Sequence, residues 1–230
     1  PGARDAAALC GRLHRLGIAA TVGYFQGDRD TPDTIVQSYR AMLETGACAG
    51  LSVKAPPLGF DPGRLRAIAA AAANADVVLM LDAHGPGDAE ATIAATEALL
   101  ADFPQSGCVL PARWRRSRGD ADRLRDTSAR LRIVKGEWAD PDGDPHDGGA
   151  AYLALIERLA GRAAPVAVAT HDPALAARAL DRLIAAGTPC ELEQLRGLPR
   201  RRTMAAARAR GVPVRLYIPF GPGWWPYAID

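Results

Sequence analysis

Residues 166–192 read Val166-Ala-Val-Ala-Thr-His-Asp172-Pro173-Ala-Leu-Ala-Ala-Arg-Ala-Leu-Asp-Arg-Leu-Ile-Ala-Ala-Gly187-Thr-Pro-Cys190-Glu-Leu192. A short apolar run, Val166–Ala169, is followed by Asp172-Pro173, a capping residue before a proline suited to a first helical turn. Ala, Leu and Arg at helical spacing follow. Gly187 then stops the helix, because glycine adopts the left-handed conformation at a helix end most readily. A second apolar run opens at Cys190. This strand–helix–strand unit implies a right-handed crossover between parallel strands.

The same unit recurs in both directions. Strand-like runs stand at Ile18–Tyr24, Leu51–Val53, Val77–Leu81, Cys108–Leu110, Ile133–Val134 and Val214–Ile218. Helical segments separate them at 32–43, 61–73, 88–101, 120–131, 149–159, 173–186 and 199–210. Thr31-Pro32 and Asp61-Pro62 repeat the cap-proline start, and Gly46, Gly161 and Gly211 repeat the stop. The runs are nearly continuous in apolar residues, as in strands buried on both faces. Eight strands and seven intervening helices in 230 residues predict one domain, 1–230: a parallel eight-stranded (βα)8 TIM-type barrel, its final helix absent or truncated. Such barrels need about 200 to 250 residues. An open doubly wound sheet would show a glycine-rich fingerprint after its first strand; Gly23-Tyr-Phe-Gln-Gly27 is not one.

Composition narrows the function classes. The hydrophobic fraction is 48%, the charged fraction 23% and the net charge +2. The charge is too small and too dispersed for a nucleic-acid surface. No apolar run is long enough to span a bilayer, and the opening residues lack the apolar core of a secretory signal. Cys10, Cys48, Cys108 and Cys190 are far apart and form no CxxC pair, which suits free thiols in a reducing cytoplasm. Asp140-Pro-Asp142-Gly-Asp144-Pro-His146-Asp147 has the acidic spacing of half a calcium loop. Its glycine is misplaced, Pro145 holds the sharp turn and no Glu closes it, so it reads as a solvated loop with no metal. Arg200-Arg201-Arg202 reads as a surface face or a phosphate contact.

In a (βα)8 barrel chemistry sits at the C-terminal strand ends. There stand Tyr24-Phe25-Gln26, Lys54, Asp82-Ala-His84, Pro111-Ala-Arg113-Trp114, Lys135-Gly136-Glu137-Trp138, Thr170-His171-Asp172, Glu193-Gln194 and Tyr217. Lysine and arginine together number 28, yet Lys54 and Lys135 are the two lysines. A compact ammonium whose pKa can move does work that a guanidinium cannot. Lys54 and Asp82 on neighbouring strands are expected to pair. Arg132 and Lys135 have opposite parity and should face different ways.

Leu131-Arg-Ile-Val-Lys-Gly136 resembles the "RLVKG" segment of the FAD-dependent proline dehydrogenases, and Ala169-Thr-His-Asp172 their "ATHN/ATHD" segment. Glu191 to Gly197 is similar to "EFQMLxG". Tyr217-Ile-Pro-Phe-Gly221 with Trp224-Trp-Pro-Tyr227 resembles "YVPYG…WYPY". Leu51-Ser-Val-Lys54 and Leu81-Asp-Ala83 resemble the strand-two "xSxK" and strand-three "iDxE". The six segments keep the family's order and cover about residues 17–228.

The resemblance implies noncovalent FAD at the barrel mouth and hydride transfer from proline or a related secondary amine or amino acid, with a quinone or another electron acceptor as partner. By the same resemblance Arg132, Lys135, Gly136, Thr170, His171, Asp172 and Glu193 hold the flavin. Lys54, Asp82 and Tyr217 are catalytic, and His84, Glu137, Trp138 and Tyr227 line the substrate. The chain also departs from the pattern. Pro111 and Glu193 replace glutamines, Glu137 a small residue, Trp138 its neighbouring aromatic and His84 an acid. Asp230 falls on the first of two arginines that clamp the substrate carboxylate. The alternative is a barrel of the same descent that has lost FAD or the dehydrogenase reaction and does acid–base chemistry on another small molecule.

Overall fold

The structure is a computed structural model that describes residues 2–82 and 84–224. Eight parallel strands close into a barrel in sequence order: β1 (Ala19–Tyr24), β2 (Gly50–Lys54), β3 (Val78–Asp82), β4 (Ser106–Pro111), β5 (Arg130–Val134), β6 (Val166–Ala169), β7 (Cys190–Leu195) and β8 (Val214–Phe220). Pairing of β1 with β8, from Ala19 beside Arg215 to Tyr24 beside Phe220, completes the ring.

The helices are α1 (Ala3–His14), α2 (Pro32–Glu44), α3 (Pro62–Asn74), α4 (Ala89–Leu100), α5 (Ser117–Leu124), α6 (Gly148–Leu159), α7 (Pro173–Ala185) and α8 (Arg201–Arg208). Thr31, Asp61 and Asp172 cap α2, α3 and α7 as expected, each accepting a backbone N–H while a proline opens the helix. No α-helix follows β8 among the described residues, and no helix there is long and apolar enough to cross a membrane.

Two elements differ from the sequence reading. Helix α1 was not expected. Its buried Ala6, Cys10 and Leu13 pack it against β1, β8 and α2, so it covers the seam where the barrel closes. Helix α5 ends at Leu124, well short of the periodic signal's end. The buried Arg162 guanidinium takes the carbonyls of Leu124, Arg125 and Thr127 and so caps it early.

The strands also depart from uniform apolarity, and the departure makes the site. Their outward faces are apolar: Leu131, Ile133, Val166, Val168, Leu192, Val214, Leu216 and Ile218 are buried under the helices. The alternate positions face the barrel axis, and there the sequence places charge. A lower tier joins Glu191 to Arg130 and Arg215 at 2.5 and 2.9 Å. An upper tier opens at the C-terminal mouth.

Candidate functional site

The upper tier is built on alternate residues of five strands. Arg132 of β5 lies 5% exposed and grips Glu193 of β7 with two hydrogen bonds of 2.8 Å, from Nε and Nη2. Its Nη1 donates to Ser52 Oγ at 2.9 Å and to Asp82 Oδ1 at 3.1 Å. A guanidinium has five N–H donors, so one remains free. Ser52 Oγ in turn donates a short hydrogen bond to Asp82 Oδ1. Tyr217 of β8 donates to Asp82 Oδ2 at 3.3 Å.

Lys54 and Asp82 are paired directly in the β2–β3 register, and the ammonium stands 3.9 Å from Asp82 Oδ2. The expected pairing is therefore present at the outer limit of ion-pair reach. Lys54 Nζ also sits 3.5 Å from the centroid of the Phe25 ring and 3.5 Å from Tyr24 O.

Burial sets the electrostatics. Desolvation lowers the Lys54 pKa, with Arg132 adding to the effect while Asp82 and Glu137 oppose it. The Tyr217 hydroxyl is pushed well up, first by burial and then by the Asp82 charge. Burial disfavours the charged form of Arg132, but Glu193 and Asp82 outweigh it and hold the proton.

Above this floor lies a cavity of about 370 Å³. Val109, Pro111, Trp114, Val134, Ala169, Leu195 and Leu198 give it apolar walls. Lys54, Asp82, Arg132, Glu193 and Tyr217 form its polar floor, and His84, Glu137 and Trp138 also line it. Trp138 is 47% exposed, with its ring 6.1 Å from that of His84. Gly136, at φ +104°, turns the chain between β5 and this rim. A Cβ there would meet the Cβ atoms of Arg113 and Pro111 at 2.9 and 3.0 Å.

The structure separates other residues grouped by the resemblance. Lys135 faces outward, as its parity required, and is exposed outside the cavity lining. Asp172 is also outside it, its carboxylate accepting N–H bonds from Ala174 and Leu175 at the start of α7. Thr170 and His171 line the cavity, but both ring nitrogens of His171 are engaged, with Pro199 O at 3.0 Å and Leu195 N at 3.1 Å. Arg113 is committed to Asp144 and to the Glu137 carbonyl. Tyr227 and Asp230 lie outside the described residues.

Sequence reading assigned no role to Ser52 or Gln194. Ser52 has the same parity as Lys54, a signal that could have found it. Gln194 has the parity of the helix-facing side and offered none. It is 2% exposed, its Nε2 donates to Thr170 O, and its Oε1 is the one buried side-chain atom without a partner among the described residues.

Known proteins place this barrel. No family model matches the chain. Proline dehydrogenase 1 of Bacillus subtilis (strain 168) is 26% identical over 238 residues, covering 94% of this chain and 78% of its own. Over nearly all of its length the chain is similar to the proline dehydrogenases. Proline utilization A from Bdellovibrio bacteriovorus, solved after inactivation by N-propargylglycine, shares the barrel at a TM-score of 0.83 and 17% identity over 96% of this chain. The counterpart from Corynebacterium freiburgense gives 0.77 at 17% identity, again over 96%. The chain spans 30% and 28% of those two proteins. Within this barrel the buried Arg132 guanidinium is neutralised by Glu193.

Proposed function

We propose that the chain is a flavin-dependent oxidoreductase of the proline dehydrogenase type, acting on an amine at the barrel mouth. The observation that carries the reading is the Lys54–Asp82–Tyr217 constellation at the floor of an apolar cavity, in a chain similar to the proline dehydrogenases. The cavity suits a flat ring system with a polar edge. Its walls are largely apolar, and the buried Gln194 Oε1 lacks the N–H donor that such an edge offers. FAD bound there would supply a two-electron acceptor for hydride.

Thr170, Gly136 and Gln194 would contact the cofactor at the cavity, and Lys135 a part of it beyond the lining. Arg132 would reach it only through its remaining N–H. Asp172 drops out of the assignment, since its carboxylate caps α7 and would repel phosphate. His171 contributes by bracing the β6 and β7 loops.

The protein's own chemistry is proton handling. An amine yields hydride from the carbon beside nitrogen only when the nitrogen lone pair is free. The substrate ammonium must therefore first lose a proton. Lys54 Nζ accepts that proton when in its neutral form, which burial favours, and Asp82 steadies the resulting ammonium. Tyr217 keeps Asp82 oriented through its hydroxyl.

The test is to purify the chain after growth with riboflavin and record its flavin absorbance, then mix it anaerobically with L-proline and with pyrrolidine. Flavin uptake followed by bleaching with either compound is expected. A protein that takes up no flavin would overturn the reading in favour of the repurposed barrel. If Lys135 carries cofactor contacts, Lys135→Ala should retain less flavin; unchanged content would remove it from the assignment.

A further inference from the structure

We propose that the substrate is a diamine, its second ammonium seated between the Glu137 carboxylate and the Trp138 ring at the lip of the cavity. The proposal rests on the reading that this site oxidises an amine, and it names which amine. The cavity lining holds two cations, Lys54 and Arg132, against three carboxylates, Asp82, Glu193 and Glu137. Both cations are engaged. Arg132 has four of its five N–H groups on protein acceptors, and Lys54 faces Asp82. Nearby Arg113 is held by Asp144. Among the described residues no free guanidinium or ammonium in the wall is left to clamp a carboxylate.

The unengaged groups have the opposite preference. The Glu137 carboxylate lines the cavity with no hydrogen bond or ion pair among the described residues, only a longer-range attraction to Lys54. Beside it Trp138 exposes an aromatic ring, and aromatic faces attract ammonium groups within about 6 Å by the ring quadrupole. A carboxylate entering this cavity meets net negative charge in a low-dielectric setting, where repulsion is stronger than in water. An ammonium at the lip has a carboxylate and an aromatic ring available in the same lining. The floor handles the amine that reacts; the lip selects what lies at the molecule's other end.

The experiment varies one substituent on one ring. L-Proline, L-prolinol and 2-(aminomethyl)pyrrolidine carry a carboxylate, a hydroxymethyl and an aminomethyl group at the same carbon. Each is titrated calorimetrically into the purified protein, with and without added FAD, and bleaching of the flavin is followed separately. The aminomethyl compound should bind about tenfold more tightly than prolinol, as expected for a partly desolvated charge contact, with proline weakest. Glu137→Gln should remove most of the difference in affinity between the aminomethyl compound and prolinol. Because Glu137 is exposed, its variant should melt like the parent. Proline binding as tightly as the diamine, a preference that survives Glu137→Gln, or no binding by any member would overturn the proposal. Flavin bleached best by L-proline would overturn it while leaving the amine-oxidation reading intact. A protein without flavin would overturn that reading instead.

Discussion

Glu193 decides how the most buried cation of the site is used. Two 2.8 Å bonds hold Arg132 to it, on strands that are not neighbours in the barrel. A buried pair is weak evidence for stability, yet removing one partner leaves an uncompensated charge and costs about 3–5 kcal/mol. Glu193→Gln keeps one acceptor for Arg132, and Asp82 still faces the guanidinium, so the loss should fall below that range. The expected result is a lower melting temperature together with tighter L-proline binding, because a partly released guanidinium can accept a carboxylate. Unchanged values of both would show that Glu193 does not neutralise Arg132. Lys54 makes a second prediction. Its lowered pKa means that the neutral amine forms at a lower pH than for an ordinary lysine. Amine oxidation should rise with pH through a limb below 10.5, the ordinary lysine value, and Lys54→Ala should abolish that limb. The Lys54–Asp82 contact was legible in the sequence because both residues end adjacent strands in register. The Arg132–Glu193 contact was not, because it crosses the barrel interior and depends on how the whole ring closes.

The helix starts were legible because they are local: a carboxylate or hydroxyl, then proline, then a periodic apolar face. Asp172→Ala removes two N–H bonds from the start of α7 and should cost about 1 kcal/mol in chemical denaturation, in keeping with other N-caps. A loss of flavin far beyond that effect would restore Asp172 to a cofactor role. The end of α5 was hidden, since the side chain that caps it lies on a later loop. Strand β4 shows a further constraint that periodicity does not carry. A Cβ at Gly107 would stand 1.8 Å from the Arg130 carbonyl oxygen of β5. Gly107→Ala must therefore move backbone in the strand that carries Arg132, and a severe loss of soluble folded protein is expected. Gly23 is tight for a different reason, its Cβ falling 1.9 Å from the Tyr217 hydroxyl. A side chain there displaces Tyr217, so ligand affinity should fall more than stability.

At the scale of the whole barrel, apolar residues on the outward faces hold the fold while the interior carries two tiers of charge. The eightfold alternation made the closed ring legible. It did not show the charged interior, because apolar outward residues dominate each short run. The lower tier has no place in the proposed chemistry, so its role can be tested as stability alone. Burial by itself raises the Glu191 pKa, but Arg215 and Arg130 outweigh burial, and the net result lies below the ordinary 4.5. A carboxyl group whose folded pKa is depressed contributes stability in full above its unfolded value and loses it as pH falls through the folded value. Glu191→Gln should therefore melt at a lower temperature than the parent at neutral pH. The difference should shrink as pH drops below about 4.5, because the unfolded parent then takes up a proton at Glu191 that the folded protein still excludes. Thermal melts of both proteins across the acid range provide the measurement. A constant gap over that range would mean that Glu191 acts by shape and hydrogen bonding, with its charge contributing nothing to the closed barrel.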